Sequence, residues 1–169
     1  MSLSFVIASE SDASAIAVLR NETSAALKRQ YGEGNWASQS TERSVVLSNF
    51  MRPKFQQTLI ARDSDAVVAT LCLQTKKPWA IDVKYFTSGK KPLYLIGMAV
   101  HPDWQGKGVG RLILQEAEAV ARAWPGDAIR LDAWDAAAGA GPFYAKSGFR
   151  EVARVVYKTA PLVYYEKML

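Results

Sequence analysis

Residues 93–111 read Leu93-Tyr94-Leu95-Ile96-Gly97-Met98-Ala99-Val100-His101-Pro102-Asp103-Trp104-Gln105-Gly106-Lys107-Gly108-Val109-Gly110-Arg111. The apolar run Leu93 to Val100 predicts a buried strand, His101 to Gly106 a loop, and the residues that follow a helix. Val109, Leu112, Ile113, Ala117, Val120 and Trp124 recur on one helical face, and Pro125-Gly126 ends it. Ala128 to Trp134 is a further strand. The unit is therefore β-loop-α-β, which places its two strands parallel with a right-handed crossover.

Where that strand hands over to the helix stands Gln105-Gly106-Lys107-Gly108-Val109-Gly110-Arg111. Glycines at such a point let backbone amides converge on an anion at the positive end of the helix dipole, so phosphate binding is expected. Lys107 and Arg111 supply charge-assisted donors. A P-loop is excluded, because Gly106-Lys107 is followed by Gly108 and no hydroxyl is present for magnesium. A dinucleotide fingerprint survives only in degenerate form: Arg111 stands where its third glycine belongs, although Asp132, at the next strand, lies at a suitable distance.

Working outward, Ser4 to Ala8 reads as a strand, and Ser9, Ser11 and Asp12 are helix caps ahead of Ile16, Leu19, Thr23, Ala26 and Leu27. That helix ends near Tyr31, Gly32 to Trp36 breaks the periodicity, and a second helix runs from about Thr41 to Met51 before Pro53. Gln57 to Ala61 and Ala66 to Leu73 form a hairpin turning at Asp63-Ser64-Asp65. The irregular Thr75 to Pro92, with Trp79, Tyr85 and Phe86, reads as a substrate-side insertion. A short helix within Asp135 to Ser147 and strands at Phe149 to Tyr157 and Leu162 to Met168 complete the chain.

The 169 residues, 49% hydrophobic and 22% charged, predict one folded domain over 1–169, burying roughly 70% of the unfolded surface. Cys72 is the sole cysteine and His101 the sole histidine, so neither an internal disulfide nor a Cys/His zinc site is expected, and no metal. Leu93 to Val100 is the longest apolar run and falls short of the ~20 residues of a membrane span. Met1 to Ser11 lacks the order of a secretion signal. The expectation is a cytoplasmic protein without membrane association. The net charge of +5 is scattered along the chain, which favours a small polyanionic ligand over nucleic acid.

The Gln105-x-x-Gly108-x-Gly110 turn after Met98-Ala99-Val100, with Tyr144-Ala145-Lys146-Ser147-Gly148-Phe149 after the next strand, resembles the GNAT superfamily of acetyl-CoA-dependent N-acetyltransferases. The paired motifs cover the second half of the chain; the first half is similar in the order of its elements. The resemblance implies a mixed, mostly antiparallel sheet with a central, splayed parallel strand pair, flanked by helices. It implies that Met98, Ala99 and Val100 contact pantetheine and that Gln105, Gly106, Lys107, Gly108, Val109, Gly110 and Arg111 hold the pyrophosphate of acetyl-CoA, with coenzyme A as product. Gly97 fits a bulge or a close backbone approach.

The reaction implied is direct attack of a primary amine of a small molecule or peptide on the thioester in a ternary complex. Tyr144 stands at the family's general-acid position, where packing against the coenzyme is the other reading, and a backbone amide near Met98 to Val100 at that of the oxyanion donor. Leu93, Tyr94, Leu95 and Ile96 leave no carboxylate base on the strand before the turn. Glu33 and Asp82 are the acidic candidates on the acceptor side, beside Trp36, Tyr85 and Phe86, a set suited to a cationic amine. Ala137 occupies a slot where relatives often carry a coenzyme-contacting asparagine. A homodimer is common in the family, and Leu162 to Met168 either lies at such an interface or finishes the monomer's own sheet. The competing readings are a non-catalytic acyl-CoA-binding or sensor module and, through the degenerate fingerprint, a nicotinamide-dependent enzyme.

Overall fold

A short strand, β1 (Leu3–Ile7), stops at Ser9, whose backbone N–H donates to the Asp12 carboxylate at 2.8 Å. This closes a 3-10 turn that leads into α1 (Ala13–Tyr31). The computed structural model describes residues 2–34, 41–89 and 91–169. After α1 come α2 (Arg43–Phe50), β2 (Gln56–Asp63), β3 (Ala66–Gln74), β4 (Pro92–Val100), α3 (Val109–Ala123), β5 (Ala128–Trp134), α4 (Gly141–Lys146), β6 (Arg150–Tyr157) and β7 (Ala160–Met168). The strands and the three longer helices were legible in the sequence with ends displaced by a residue or two, as fraying termini allow, whereas α4 was placed only within Asp135 to Ser147.

The strands form one sheet in the order β1-β2-β3-β4-β5-β7-β6. β4 and β5 pair in parallel from Pro92↔Ala128 to Tyr94↔Arg130, and β5 pairs antiparallel with β7 along its whole length. The last strand therefore finishes the chain's own sheet: β7 lies between β5 and β6, and Leu162, Val163, Tyr164 and Tyr165 are buried there.

The chain packs as two compact units, the residues up to Leu73 with Ile96–Ala117, and Gln74–Leu95 with Glu118–Leu169. In the first, Ile16, Leu19, Val46 and Ile60 form a core with Phe50 and Met51 against it, and Arg62 pairs with Asp12. In the second, Ile81, Phe86, Tyr94, Leu162 and Tyr164 pack together. Phe86 is thus a core residue of the insertion rather than part of an open acceptor face, whereas Trp79 is 90% exposed.

A buried ion pair ties the insertion down. Arg130 Nε donates to Glu166 at 3.0 Å, with both side chains almost fully withdrawn from water. Glu166 also accepts from the Thr87 N–H at 3.2 Å, while Arg130 donates to the Thr87 carbonyl and lies 5.0 Å from the Phe86 ring centroid. The two charges drawn into this site are thus paired and also hydrogen-bonded to backbone, which is the condition for burying charge.

The burial of α3 differs from its predicted face. Val109, Ile113, Leu114, Ala117 and Ala121 are buried, whereas Leu112 is 41% exposed. The buried stripe follows i, i+4, i+8 and i+12 from Val109, which leaves Leu112 on the flank. Among the described residues, no helix is long and apolar enough to cross a membrane.

Candidate functional site

β4 carries a local break at Gly97, where φ is +62°. A Cβ there would lie 2.5 Å from Phe50 Cε1, so the position needs glycine twice, for its left-handed backbone and for the ring against it. Phe50 is held in turn through its carbonyl, which accepts from the Thr58 hydroxyl and from the Cys72 thiol at 3.7 Å. Arg20 of α1 donates from Nη1 to the Gly97 carbonyl at 2.7 Å, and its guanidinium sits 4.5 Å from the Phe50 ring centroid.

Beyond Val100 the chain is closed into its turn by local bonds. The His101 N–H donates to the Val68 carbonyl at 2.8 Å, and His101 Nδ1 accepts from the Asp103 N–H at 3.2 Å, capping the 3-10 turn Pro102–Trp104. Because Nδ1 is an acceptor, the proton of the neutral ring sits on Nε2, 3.0 Å from Glu22 Oε2. His101 thus shapes the loop through both its backbone and its ring. Gln105 Nε2 folds back onto the Val100 carbonyl at 3.0 Å, so this motif residue sets the turn's curvature with its side chain.

The next residues are open. Gln105, Gly106, Lys107, Gly108 and Arg111 are exposed, and Met98, Ala99 and Val100 precede them on β4. Gly106 and Gly108 have φ of +72° and +85°, and a Cβ on either would meet nothing within 4 Å. α3 begins at Val109, and the Leu112 N–H donates back to the Gly108 carbonyl at 3.1 Å. The amides of Val109, Gly110 and Arg111 thus head the helix before its own ladder starts, beside Lys107, whose Nζ lies 5.5 Å from the Trp104 ring. This is the geometry of an anion cradle.

Tyr144 belongs to the second unit, and its spacing to Gly148 and Phe149 has a local cause. The Phe149 N–H donates to the Tyr144 carbonyl at 3.1 Å and the Gly148 N–H to the Ala145 carbonyl at 3.2 Å, with Gly148 at φ +87°. This is the paired bonding of a Schellman cap, which calls for a left-handed glycine and an apolar contact between the residues flanking it. That contact is Tyr144 on Phe149, ring centroids 5.7 Å apart. The phenol is buried against Tyr165 at 6.1 Å, and burial together with the Asp132 charge pushes its pKa well up. A phenol at ~10 is already a weaker acid than a thiol at ~8.5, so giving a proton to a thiolate is uphill, and the structure makes it more so.

Asp132, singled out in the sequence only as the acid of a degenerate dinucleotide fingerprint, is a partly buried carboxylate near Tyr144 and Tyr164. It stands on β5 directly opposite Tyr164 of β7, and antiparallel partners share a face. Burial pushes its carboxyl above the usual range, opposed only by its own backbone amide. Burial is the main cause of the raised pKa of Tyr144 and of Tyr164, and the Asp132 charge adds to both. The signal was available: Arg130 and Asp132 are charges at alternate positions of an otherwise apolar strand.

The acceptor-side candidates divide. Asp82 accepts from the Lys84 N–H at 3.1 Å and pairs with its Nζ, which holds its pKa below the usual range. Tyr85 is 43% exposed and lies edge-on to Tyr164 at 6.0 Å. The Asp82 N–H donates to the Tyr164 hydroxyl at 3.2 Å, which itself donates to the Ala80 carbonyl. The structure therefore brings Asp82, Tyr85, Tyr164 and Asp132 into one neighbourhood. Glu33, in the other unit, pairs with Lys28 at the end of α1. Trp36 lies outside the described residues.

The sequence matches the acetyltransferase (GNAT) family model over residues 21–149. The chain belongs to the GNAT acetyltransferase family. Among solved structures it is similar in fold to PaiA N-acetyltransferase from Thermoplasma acidophilum in complex with coenzyme A, with TM-score 0.74, 16% identity and 100% of each chain covered. It is also similar to YncA from Salmonella typhimurium with its cofactor acetyl-CoA, with TM-score 0.73, 17% identity and coverage of 100% of this chain and 95% of that one. A third is ribosomal-protein-alanine N-acetyltransferase from Brucella melitensis, with TM-score 0.70, 20% identity and coverage of 98% and 99%. No curated protein matches the sequence. The mixed seven-stranded sheet with its parallel β4–β5 pair is thus a GNAT sheet.

Proposed function

We propose that the protein transfers the acetyl group of acetyl-CoA to a primary amine of a small molecule or peptide, within a ternary complex. The observation that carries this reading is the exposed turn Gln105 to Arg111, with two left-handed glycines and open space above them at the head of α3. Those residues fit a pyrophosphate: backbone amides converge there, and Lys107 and Arg111 add charge. Met98, Ala99 and Val100 offer strand backbone to the pantetheine arm as an added strand. Acetyl-CoA supplies the activated acetyl group. The relatives with bound coenzyme A and acetyl-CoA support the same assignment.

Asp132 is the proton acceptor for the attacking amine in this reading, and Tyr144 the donor to the departing sulfur. The proton balance closes between them. The amine's proton goes to Asp132, Tyr144 gives its proton to sulfur, and the Asp132 proton restores the phenol. Burial keeps Tyr144 raised, but protonating Asp132 removes the charge that adds to it, so the phenol becomes a stronger acid when the thiolate leaves. Asp82 and Tyr85 border the acceptor, with Glu33 and Trp36 as further acceptor-side residues.

The cap and ring packing of Tyr144 favour a second reading, a non-catalytic acyl-CoA-binding module. Thermal shift with acetyl-CoA, coenzyme A, NADH and ATP, followed by an amine screen, tests both. A ligand at 100 times its Kd stabilises by ~2.7 kcal/mol. Stabilisation by both coenzyme forms with turnover of an amine supports the enzyme; stabilisation without turnover across the panel supports the binding module. A response to NADH alone rejects the glycine turn as a coenzyme A cradle.

A further inference from the structure

Among the described residues, Arg20 is a half-buried cation that no carboxylate faces. Burial alone lowers its pKa, with no acidic group offsetting it. Arg62, Arg130 and Lys167, likewise withdrawn, each face a carboxylate: Asp12, Glu166 and Glu118. Among the described residues, Arg20 has the Gly97 carbonyl and the Phe50 ring as its partners. One Nη1 bond to a carbonyl leaves the other guanidinium N–H groups to serve an acceptor in their plane. A half-buried guanidinium kept without a counter-ion costs stability, and the cost is recovered when an anion arrives.

We propose that Arg20 binds a carboxylate on the acceptor, so that the amines acetylated are amino acids. This rests on the acetyl-transfer reading and names its substrate class. The alternative anion, the oxygen of the reacting thioester, is disfavoured by peptide geometry. The carbonyl of Gly97 and the N–H of Met98 belong to one trans peptide and point in opposite directions. The guanidinium on that carbonyl is therefore on the side away from any oxygen held by the Met98 amide. A planar, forked donor suits a planar carboxylate bidentately, and the Phe50 ring fixes its position.

The test compares L-amino acids with the corresponding L-amino acid amides in wild type and Arg20→Gln with acetyl-CoA, with kcat/KM expressed per free amine because amidation also lowers the amine pKa. Wild type is expected to favour the acids in kcat/KM by about tenfold or more. In Arg20→Gln this ratio collapses toward one, chiefly through KM of the acids, while coenzyme A still raises Tm. A wild type that prefers the amides or neither member overturns the proposal. So does a variant that loses activity but keeps the ratio, which assigns Arg20 only to holding Gly97. Should the variant not fold, or no pair turn over, titration calorimetry of the same pairs into wild type with coenzyme A decides. Tighter binding of the acids supports the carboxylate site and equal binding overturns it. Failure of coenzyme A to stabilise wild type rejects the acetyl-transfer reading separately, and the acid-to-amide binding ratio without coenzyme still reads Arg20.

Discussion

The ring of Phe50 fills the volume that a side chain on Gly97 would occupy, its Cε1 2.5 Å from the position of the missing Cβ. Gly97→Ala meets two penalties of different origin. A left-handed backbone costs an alanine ~1–2 kcal/mol and overpacking a further ~1–3 kcal/mol, so a loss of about 2–5 kcal/mol is expected in denaturant titration. Phe50→Leu in the same chain recovers the packing part and leaves the backbone part. A loss below about 1 kcal/mol contradicts the close approach.

Tyr144→Phe keeps the ring that packs on Phe149 in the helix cap and removes only the hydroxyl. Turnover is expected to fall by ~100-fold or more, as for loss of a proton donor, while stabilisation by coenzyme A changes little. Unchanged turnover assigns Tyr144 to the cap alone.

Asp132 links pH to both activity and stability. Its folded pKa lies above its ordinary value because burial disfavours the charge. The carboxylate accepts a proton only when ionised, so kcat/KM falls on acidification through a pKa above ~3.9. Asp132→Asn removes that acid limb along with most of the activity. The stability sign is opposite. A raised carboxyl pKa gives a contribution that is present below the unfolded value and lost as pH rises through the folded one. Asp132→Asn is therefore expected to melt higher than wild type at pH 7, and a lower Tm rejects the desolvated carboxylate.

Glu166 carries the insertion's anchorage. Glu166→Gln leaves Arg130 buried without its counter-charge beside the Thr87 backbone. Removing one partner of a buried pair costs ~3–5 kcal/mol, read as a fall in the urea midpoint. Faster hydrogen exchange at the Thr87 amide should accompany it.

Cys72 is buried and its thiol pKa is pushed up to about 11. The native thiol should resist an aromatic disulfide reagent at pH 8 and react at once in denaturant, since the thiolate is the reactive form. Fast native reaction contradicts this burial.

What the sequence by itself determined is what depends on residues a few positions apart. The helical end at Tyr31, the strand from Ala128 to Trp134 and the open turn from Gln105 to Arg111 follow from periodicity and glycine placement. The Tyr144, Gly148 and Phe149 spacing belongs with them, because a helix cap is closed by bonds spanning three to five residues. The place of β7 between β5 and β6 required the fold. So did the exposure of Leu112 and the core position of Phe86. Arg20 and Asp132 are the clearest cases. In the sequence Arg20 is one charge among many and Asp132 only the acid of a degenerate fingerprint; residues distant along the chain set their surroundings, Phe50 and Gly97 beside the first and Tyr164 opposite the second. Desolvation is a property of surroundings rather than of residue type, so only the tertiary structure decides which charges are poised to act.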